Sequence, residues 1–251
     1  MGSEPGRRLR LELTYDGTDF CGWQFQINGR TVQAVLADAL TRINGGRTVT
    51  VHGAGRTDSG VHARAQVADA RVQTDATDDE ILKSLRGLLP DDLSVRELRT
   101  TDDAFDSRRC AVGKTYCYRI DRTQHGDPLR SRYAWHLYGP LDLERMRRAA
   151  LRLHGTHDWT GFTAKRCQIE DRVRTLESIE ISDPPDELRL TFRGDGFMTY
   201  MVRNIVGTLV EIGRGKFEEG RIDVMLTTGD RSLGGATAPA RGLILWEVRY
   251  P

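Results

Sequence analysis

The sequence predicts an α+β fold built on a mainly antiparallel sheet, and three observations carry that expectation. Short segments of polar–apolar alternation, the mark of half-buried strands, recur along the whole chain. Amphipathic helical stretches mingle with them without a regular strand–helix–strand alternation. Hairpins are prominent, which argues against a doubly wound parallel sheet.

The elements follow in order. Residues 8–15, RLRLELTY, alternate Leu9, Leu11, Leu13 and Tyr15 as one strand face. Residues 16–30 are Gly-rich and polar, hence a loop. TVQAVLADALTRI places Val32, Val35, Leu36, Ala39, Leu40 and Ile43 at helical spacing and is stopped by Asn44-Gly45-Gly46. TVTVHGAGRTDSG is a short strand running into a turn, and ARAQVADARV the next strand. TDDEILKSLRGLLP is a second helix, with Thr77 or Asp78 as its cap and Pro90 as its stop; DLSVRELRT is again a strand. In the second half KTYCYRI alternates Tyr116, Tyr118 and Ile120. DLERMRRAALRLHG is a helix with Leu143, Met146, Ala150 and Leu153 inward. LESIEIS and ELRLTF form a hairpin across Asp183-Pro184-Pro185-Asp186. YMVRNIVGTLVEIG is a strongly apolar helix, RIDVMLTTG a short one, and LILWEVRY a closing strand. The join between halves falls near residues 100–112, giving an N-terminal half over 1–105 and a C-terminal half over 106–251, with no low-complexity linker between them.

Composition narrows the chemistry. The 251 residues carry 38% hydrophobic and 29% charged side chains, as a globular chain does. No apolar run approaches the roughly 20 residues that span a bilayer. The start, MGSEPG, has no apolar signal core, and Gly6 stands where a myristoylation pattern needs Ser or Thr. A cytoplasmic protein is expected. Cysteines 21, 110, 117 and 167 form no C-x-x-C pair and the six histidines no ligand pattern, so neither a metal nor a disulfide framework is expected. A net charge of +1 excludes a small, strongly basic nucleic-acid module, although a balanced total can hide segregated patches. Lysine occurs only at 83, 114, 165 and 216, so the cations are almost all arginine. Base composition of the genome gives the same skew; arginine forks also suit phosphates and stack on bases.

The stretch GAGRTDSG, residues 53–60, holds the sharpest local signal. As a phosphate cradle it is poor. Gly53 and Gly55 fit G-x-G, but Asp58 stands at the third glycine of a dinucleotide fingerprint and would repel pyrophosphate. A polar surface turn with a local Arg–Asp ion pair fits it equally. Chemically, a neighbouring arginine keeps a carboxylate ionised, which makes Asp58 a nucleophile or base rather than a proton donor. Carboxylates do such work at sugar C1, where glycosidic cleavage develops oxocarbenium character. Hydrolysis there usually needs a second carboxylate, and the motif offers none. A reaction that breaks a glycosidic bond without expelling the leaving group needs less.

AGRTDSGVHA, with YDGTDFCGWQ upstream and MVRNIVGTL downstream, resembles the tRNA pseudouridine synthase A family. The similarity runs essentially end to end, through KTYCYRI, the Pro90-Asp91 segment, DDAFDSRR and ATAPARGLILWEV. The resemblance implies the pseudouridine synthase fold: two ferredoxin-like or RRM-like halves whose sheets join into a continuous, mainly antiparallel sheet with flanking helices. It implies isomerisation of uridine at tRNA positions thirty-eight to forty in the anticodon arm, with no cofactor and no metal. The N1–C1′ bond breaks, the base turns, and C5 joins C1′. Asp58 is the implied catalytic group, either adding covalently to the nucleotide or removing the 2′ proton. Extruding the stacked uridine costs a few kcal/mol. Arg56 matches the arginine that fills the vacated place. Tyr116 matches the tyrosine set against the flipped uracil, although its alternation with Tyr118 and Ile120 alone would read as core, where Tyr118 stays. Arg203, a charge in an apolar helix, matches the arginine paired with the catalytic aspartate; snorkelling to the surface is the plain alternative. Arg108 matches a further active-site or RNA-facing arginine. A homodimer bridged by one tRNA is implied, which also multiplies the phosphate contacts open to a chain of net charge +1. Trp23 and Gln24 fit either an RNA contact or, for Trp23, a cover over the core. AKRCQIEDRVR, 164–174, resembles an RNA-facing insertion. A tRNA-binding protein without catalysis and a small-nucleoside glycosidase are the rival readings. Tritium release from C5-labelled tRNA separates the first, and free uracil would betray the second.

Overall fold

The computed structural model describes residues 6–165, 167 and 169–251. Residues 1–5 and, within the 164–174 segment, Arg166 and Gln168 lie outside the described residues. The chain is α+β, with ten strands and five helices among them. It divides into two compact units: the residues up to Val112 together with Leu245–Pro251, and Gly113–Ile244.

In the first unit β1 (Arg7–Tyr15) runs antiparallel between β3 (His62–Val72) and β4 (Leu93–Thr101). β2 (Val51–Gly53) pairs with β3, setting Val51 opposite Ala70 and Gly53 opposite Ala68. β10 (Leu243–Arg249), whose residues from Leu245 belong here, lies next to β3. The alternating leucines of β1 are fully buried. Helices α1 (Val32–Ile43) and α2 (Asp78–Leu88) start where the sequence signals place them. Thr31 caps α1, and Thr77 caps α2 in a capping box with Glu80. Each fully buried Leu or Ile on these faces contributes roughly 1.5–3 kcal/mol.

In the second unit the strand order is β5 (Gly113–Asp121), β9 (Glu187–Gly194), β8 (Val173–Ser182), β7 (Gly155–Asp158), with the two-residue β6 (Trp135–His136) parallel beside β5. β8 and β9 form the expected hairpin; Asp186 takes its tight corner with φ 61°. β6 and β7 are too short to leave a periodic pattern. β5 departs from simple alternation: Thr115 and Cys117 are buried along with Tyr116 and Tyr118, so both faces are covered there. The unit's helices are α3 (Leu143–Leu151), which packs on β8 and on α4 (Met201–Gly213), and α5 (Arg221–Thr228), which packs on the turn at Thr160–Phe162. On α3 Met146 and Ala150 are buried, as is Leu153 just beyond it, while Leu143 is half-buried. α4 is buried nearly all round. Its one buried amide, Asn204, donates to Phe162 O (2.7 Å) and accepts from Thr237 Oγ1 (2.7 Å) and Arg231 Nη2 (2.9 Å). That satisfies a polar group that would otherwise cost about 1–3 kcal/mol. Among the described residues no helix is long and apolar enough to cross a membrane.

Candidate active site

Asp58 sits on the loop between β2 and β3, and the loop is tied down by main chain on both sides of it. Ala54 N donates to Val67 O (2.8 Å), Trp23 N to Thr57 O (3.1 Å), Val61 N to Asp58 O (3.1 Å), and Gly60 N to Phe20 O (3.3 Å). Side chains add two anchors. Gln66 Nε2 donates to Gly55 O (2.8 Å), and the Tyr15 and Thr57 hydroxyls share a hydrogen bond of 2.9 Å. Burial pushes the Tyr15 phenol up to about 12, so it is a neutral group at any physiological pH. Thr57 and Val61 are thus buried while Asp58 between them is half-buried and Arg56 exposed. The result is a carboxylate at the crest of a loop with little freedom, the preorganisation that a reacting group needs.

The upstream loop, YDGTDFCGW, is the other jaw of this clamp. An added Cβ on Gly17 would stand 2.0 Å from Val61 O, and one on Gly22 2.7 Å from Thr57 O, with φ 88° at Gly22 as well. Only glycine lets the two backbones approach so closely. His62 Nδ1 lies 3.0 Å from Gly17 N and 3.1 Å from Asp16 Oδ1, pinning the same pair of segments. Trp23 is a cover rather than an RNA contact: it is 2% exposed, and its indole lies where a Cβ on Gly53 would fall. Gln24 is held by Gln33, its Nε2 donating to Oε1 at 2.9 Å.

Arg108 stands exposed on a separately anchored turn. Its neighbour Ser107 is fully buried: the amide donates to Asp69 Oδ1 (2.9 Å), the hydroxyl to His52 O (3.2 Å), and Ser107 O accepts from the Tyr250 hydroxyl (2.6 Å). Asp106 accepts from the Arg108 and Arg109 amides (2.9 and 2.8 Å), and the Arg109 amide is the main reason its carboxyl lies below the usual range.

In the second unit Tyr116 is 7% exposed and meets Phe197 edge to face, centroids 5.0 Å apart at 78°. Arg203, half-buried in the first turn of α4, donates from Nε to Ala238 O (2.7 Å) and carries its guanidinium over the Tyr200 ring at 4.7 Å. One stretch, Gly194–Tyr200, supplies the aromatic partners of both residues. Tyr118 is core: fully buried, its hydroxyl donating to Pro239 O (2.8 Å), with burial pushing its pKa up. In the 164–174 segment, Arg172 donates to Ile169 O and Cys167 O, both at 3.2 Å. No cluster of three or more His, Cys, Asp or Glu fit to hold a metal occurs among the described residues.

A sequence profile described as tRNA pseudouridine synthase matches residues 13–108 and 149–251 of this chain. The protein called tRNA pseudouridine synthase A in Streptococcus pneumoniae strain Hungary19A-6 is 42% identical over 97% of this chain and 98% of its own length. Its counterpart in strain 70585 is 41% identical over the same shares. The chain belongs to the tRNA pseudouridine synthase family. A chain in a solved Cbf5-Nop10-Gar1 complex shows a slighter likeness, with TM-score 0.33 and 11% identity over 84% of this chain and 56% of that one, too low to bear on fold or function.

The sequence named Asp58 and the arginines as candidate site residues but not the side chains that support them. Phe197 and Tyr200 lie in GDGFMTYMVRN, where the run of Gly and aromatics ahead of a helix was the available signal. Tyr15 looked like one more alternating strand residue, and its role as an anchor for Thr57 has no local signature.

Proposed function

We propose that this member of the tRNA pseudouridine synthase family isomerises uridine to pseudouridine in tRNA, with Asp58 as its catalytic group and Arg56, Tyr116, Arg203 and Arg108 as substrate-binding residues. The reaction is an intramolecular transfer. The N1–C1′ bond breaks, C5 bonds to C1′, the C5 proton leaves to solvent, and N1 takes one up. Oxidation state does not change. What a protein must supply is a fixed anionic oxygen near the ribose, a surface for the extruded base, and cations for the phosphates. The observation that carries this reading is the half-exposed Asp58 on a loop whose flanking backbone is clamped. Arg56, exposed two residues before it, is suited to stack into the place an extruded uridine leaves. Stacking on a ring such as Tyr116 contributes roughly 1–3 kcal/mol per base. The anticodon-arm positions, action as a homodimer and a cytoplasmic setting belong to the same proposal.

The test is Asp58→Asn with tRNA labelled by tritium at uridine C5. Tritium release is expected to fall to background while tRNA affinity stays within a few-fold of the parent. Normal turnover by the variant would remove Asp58 from the mechanism. Mapping of pseudouridine in tRNA treated with the pure protein checks the anticodon-arm positions, and sedimentation with and without tRNA checks the dimer.

A further inference from the structure

We infer that Gln66 is a positioning residue: its buried amide holds the carbonyl of Gly55, the residue before Arg56, and so fixes the root of the Arg56 side chain, an inference that rests on the reading of Arg56 as a substrate-binding residue.

Gln66 is a polar side chain in an apolar row. On the face of β3 turned to the core leucines, Ala70 stands opposite Leu9, Ala68 opposite Leu11 and Gln66 opposite Leu13. All of these are buried, and Gln66 is 0% exposed. The row asks for an apolar residue at 66, and a polar group there is tolerated only when it is hydrogen-bonded. Gln66 uses both ends of its amide: Nε2 donates to Gly55 O (2.8 Å) and Oε1 accepts from Val67 N (3.2 Å). Methionine would fill a similar length with no polar demand of its own. If packing alone decided this position, an apolar chain would serve it better. A glutamine in the core therefore needs a task for its amide.

Arg56 supplies that task. The peptide that joins Gly55 to Arg56 is held at its carbonyl by Gln66. On the other flank Thr57 is held twice. Its carbonyl accepts from Trp23 N (3.1 Å), and its hydroxyl shares the hydrogen bond of 2.9 Å with the Tyr15 phenol. Arg56 projects, exposed, from between two anchored neighbours. An arginine side chain keeps many rotamers, so what a fold can set in advance is the direction from which the chain starts. A side chain that is to take the place of an extruded base needs that direction fixed, because a small misplacement of the root grows along its length.

The experiment compares single-turnover tritium release from C5-labelled tRNA, tRNA affinity and thermal melting for Q66M, R56Q, the double variant Q66M/R56Q and L9A, a core truncation on β1 away from the loop. Assays run well below every melting temperature. Q66M is expected to lose about tenfold or more in release rate, the scale on which small misplacements act, with tRNA affinity within about twofold of the parent. L9A is expected to melt at least as low as Q66M and to keep its rate within about twofold of the parent. Because Gln66 acts through Arg56, the double variant is expected to be no slower than R56Q alone. Nitrogen-15 relaxation reads the positioning directly: the Arg56 amide is expected to lose order in Q66M and to keep it in L9A. That measurement decides also where R56Q releases no tritium. The inference is overturned if Q66M stays within about twofold of the parent rate, if L9A loses as much rate as Q66M, if the double variant is additive, or if the Arg56 amide is as ordered in Q66M as in the parent. Parent-like release by R56Q would instead remove the reading of Arg56 on which the inference stands.

Discussion

The Asp58 loop and the entrance to α4 each present a charged side chain, yet they are built differently. Around Asp58 the main chain does the holding: amides and carbonyls of residues 54–61 bond to residues 20, 23 and 67, and glycines in the facing loop let the backbones touch. Around Arg203 side chains share the holding with main chain: its Nε donates to Ala238 O, its guanidinium lies over the Tyr200 ring, and the Asn204 amide binds Thr237, one residue before Ala238. A clamp made of main chain is indifferent to most substitutions and vulnerable where an added atom would pry two backbones apart. A seat made partly of side chains is vulnerable at each of them. The catalytic role proposed for Asp58, which would need its carboxylate held within fractions of an ångström, suits the first arrangement.

Gly17→Ala is expected to break the first arrangement most severely. The added Cβ would lie 2.0 Å from Val61 O, with the backbone Val61 C at 2.6 Å and no flexible side chain to yield. The YDG and RTDSG segments must separate, and the Gly17 N–His62 Nδ1 bond strains with them. A loss of about 2–4 kcal/mol is expected by denaturant unfolding, with turnover falling further than the folded fraction does. A change under about 0.5 kcal/mol would show that close backbone approach does not hold this loop.

Asn204→Leu sharpens the contrast from the other side. The leucine is close to isosteric but leaves Thr237 Oγ1 and Phe162 O without their amide partner and takes one acceptor from Arg231 Nη2. A loss of about 1–3 kcal/mol is expected. Hydrogen exchange locates it: amides at 235–238 should speed up while those at 57–61 keep their protection. Equal acceleration in both stretches would mean that the two regions are not held independently.

How legible each region was follows from the same distinction. The strands and helices were readable because β1 alternates, α1 repeats its apolar face at helical spacing, and Thr77 with Glu80 spells a capping box. The candidate carboxylate, Asp58, was readable because R-T-D-S-G-V-H is a dense run of chemically constrained residues. What holds it was only half legible. Gly17 and Gly22 announce a loop, but nothing in YDGTDFCGW says that the loop lands on residues 57–61. Trp23 could have faced RNA until its contact with Gly53 showed it as a lid over β2. Likewise, nothing local in LILWEVRY shows that residues from Leu245 join the first unit, because a strand's partners are chosen by the whole fold. The positive φ of Tyr200 carried no signal, since it is a property of the backbone that sequence shows only when glycine or asparagine marks it.

The smallest expected effect is also the one with the clearest sign, Tyr15→Phe. At neutral pH the variant loses the hydrogen bond between the phenol and Thr57 Oγ1 and keeps the packing, so the parent is expected to be more stable by about 1 kcal/mol. Alkali works the other way. Burial raises the folded phenol from 10.0 to about 12, so its contribution is complete below pH 10 and is lost as pH climbs towards 12, where the unfolded chain ionises and the folded one does not. Burial also raises Tyr118 and Tyr250, but both are present in parent and variant and cancel in the difference. The parent's advantage should therefore shrink above pH 10 and reverse before pH 12, so that the two stability curves cross. Urea unfolding of both proteins between pH 8 and 11.5 reads the narrowing directly. Parallel curves across that range would mean that the Tyr15 hydroxyl reaches water, and that the Asp58 loop lacks the dry anchor assigned to it.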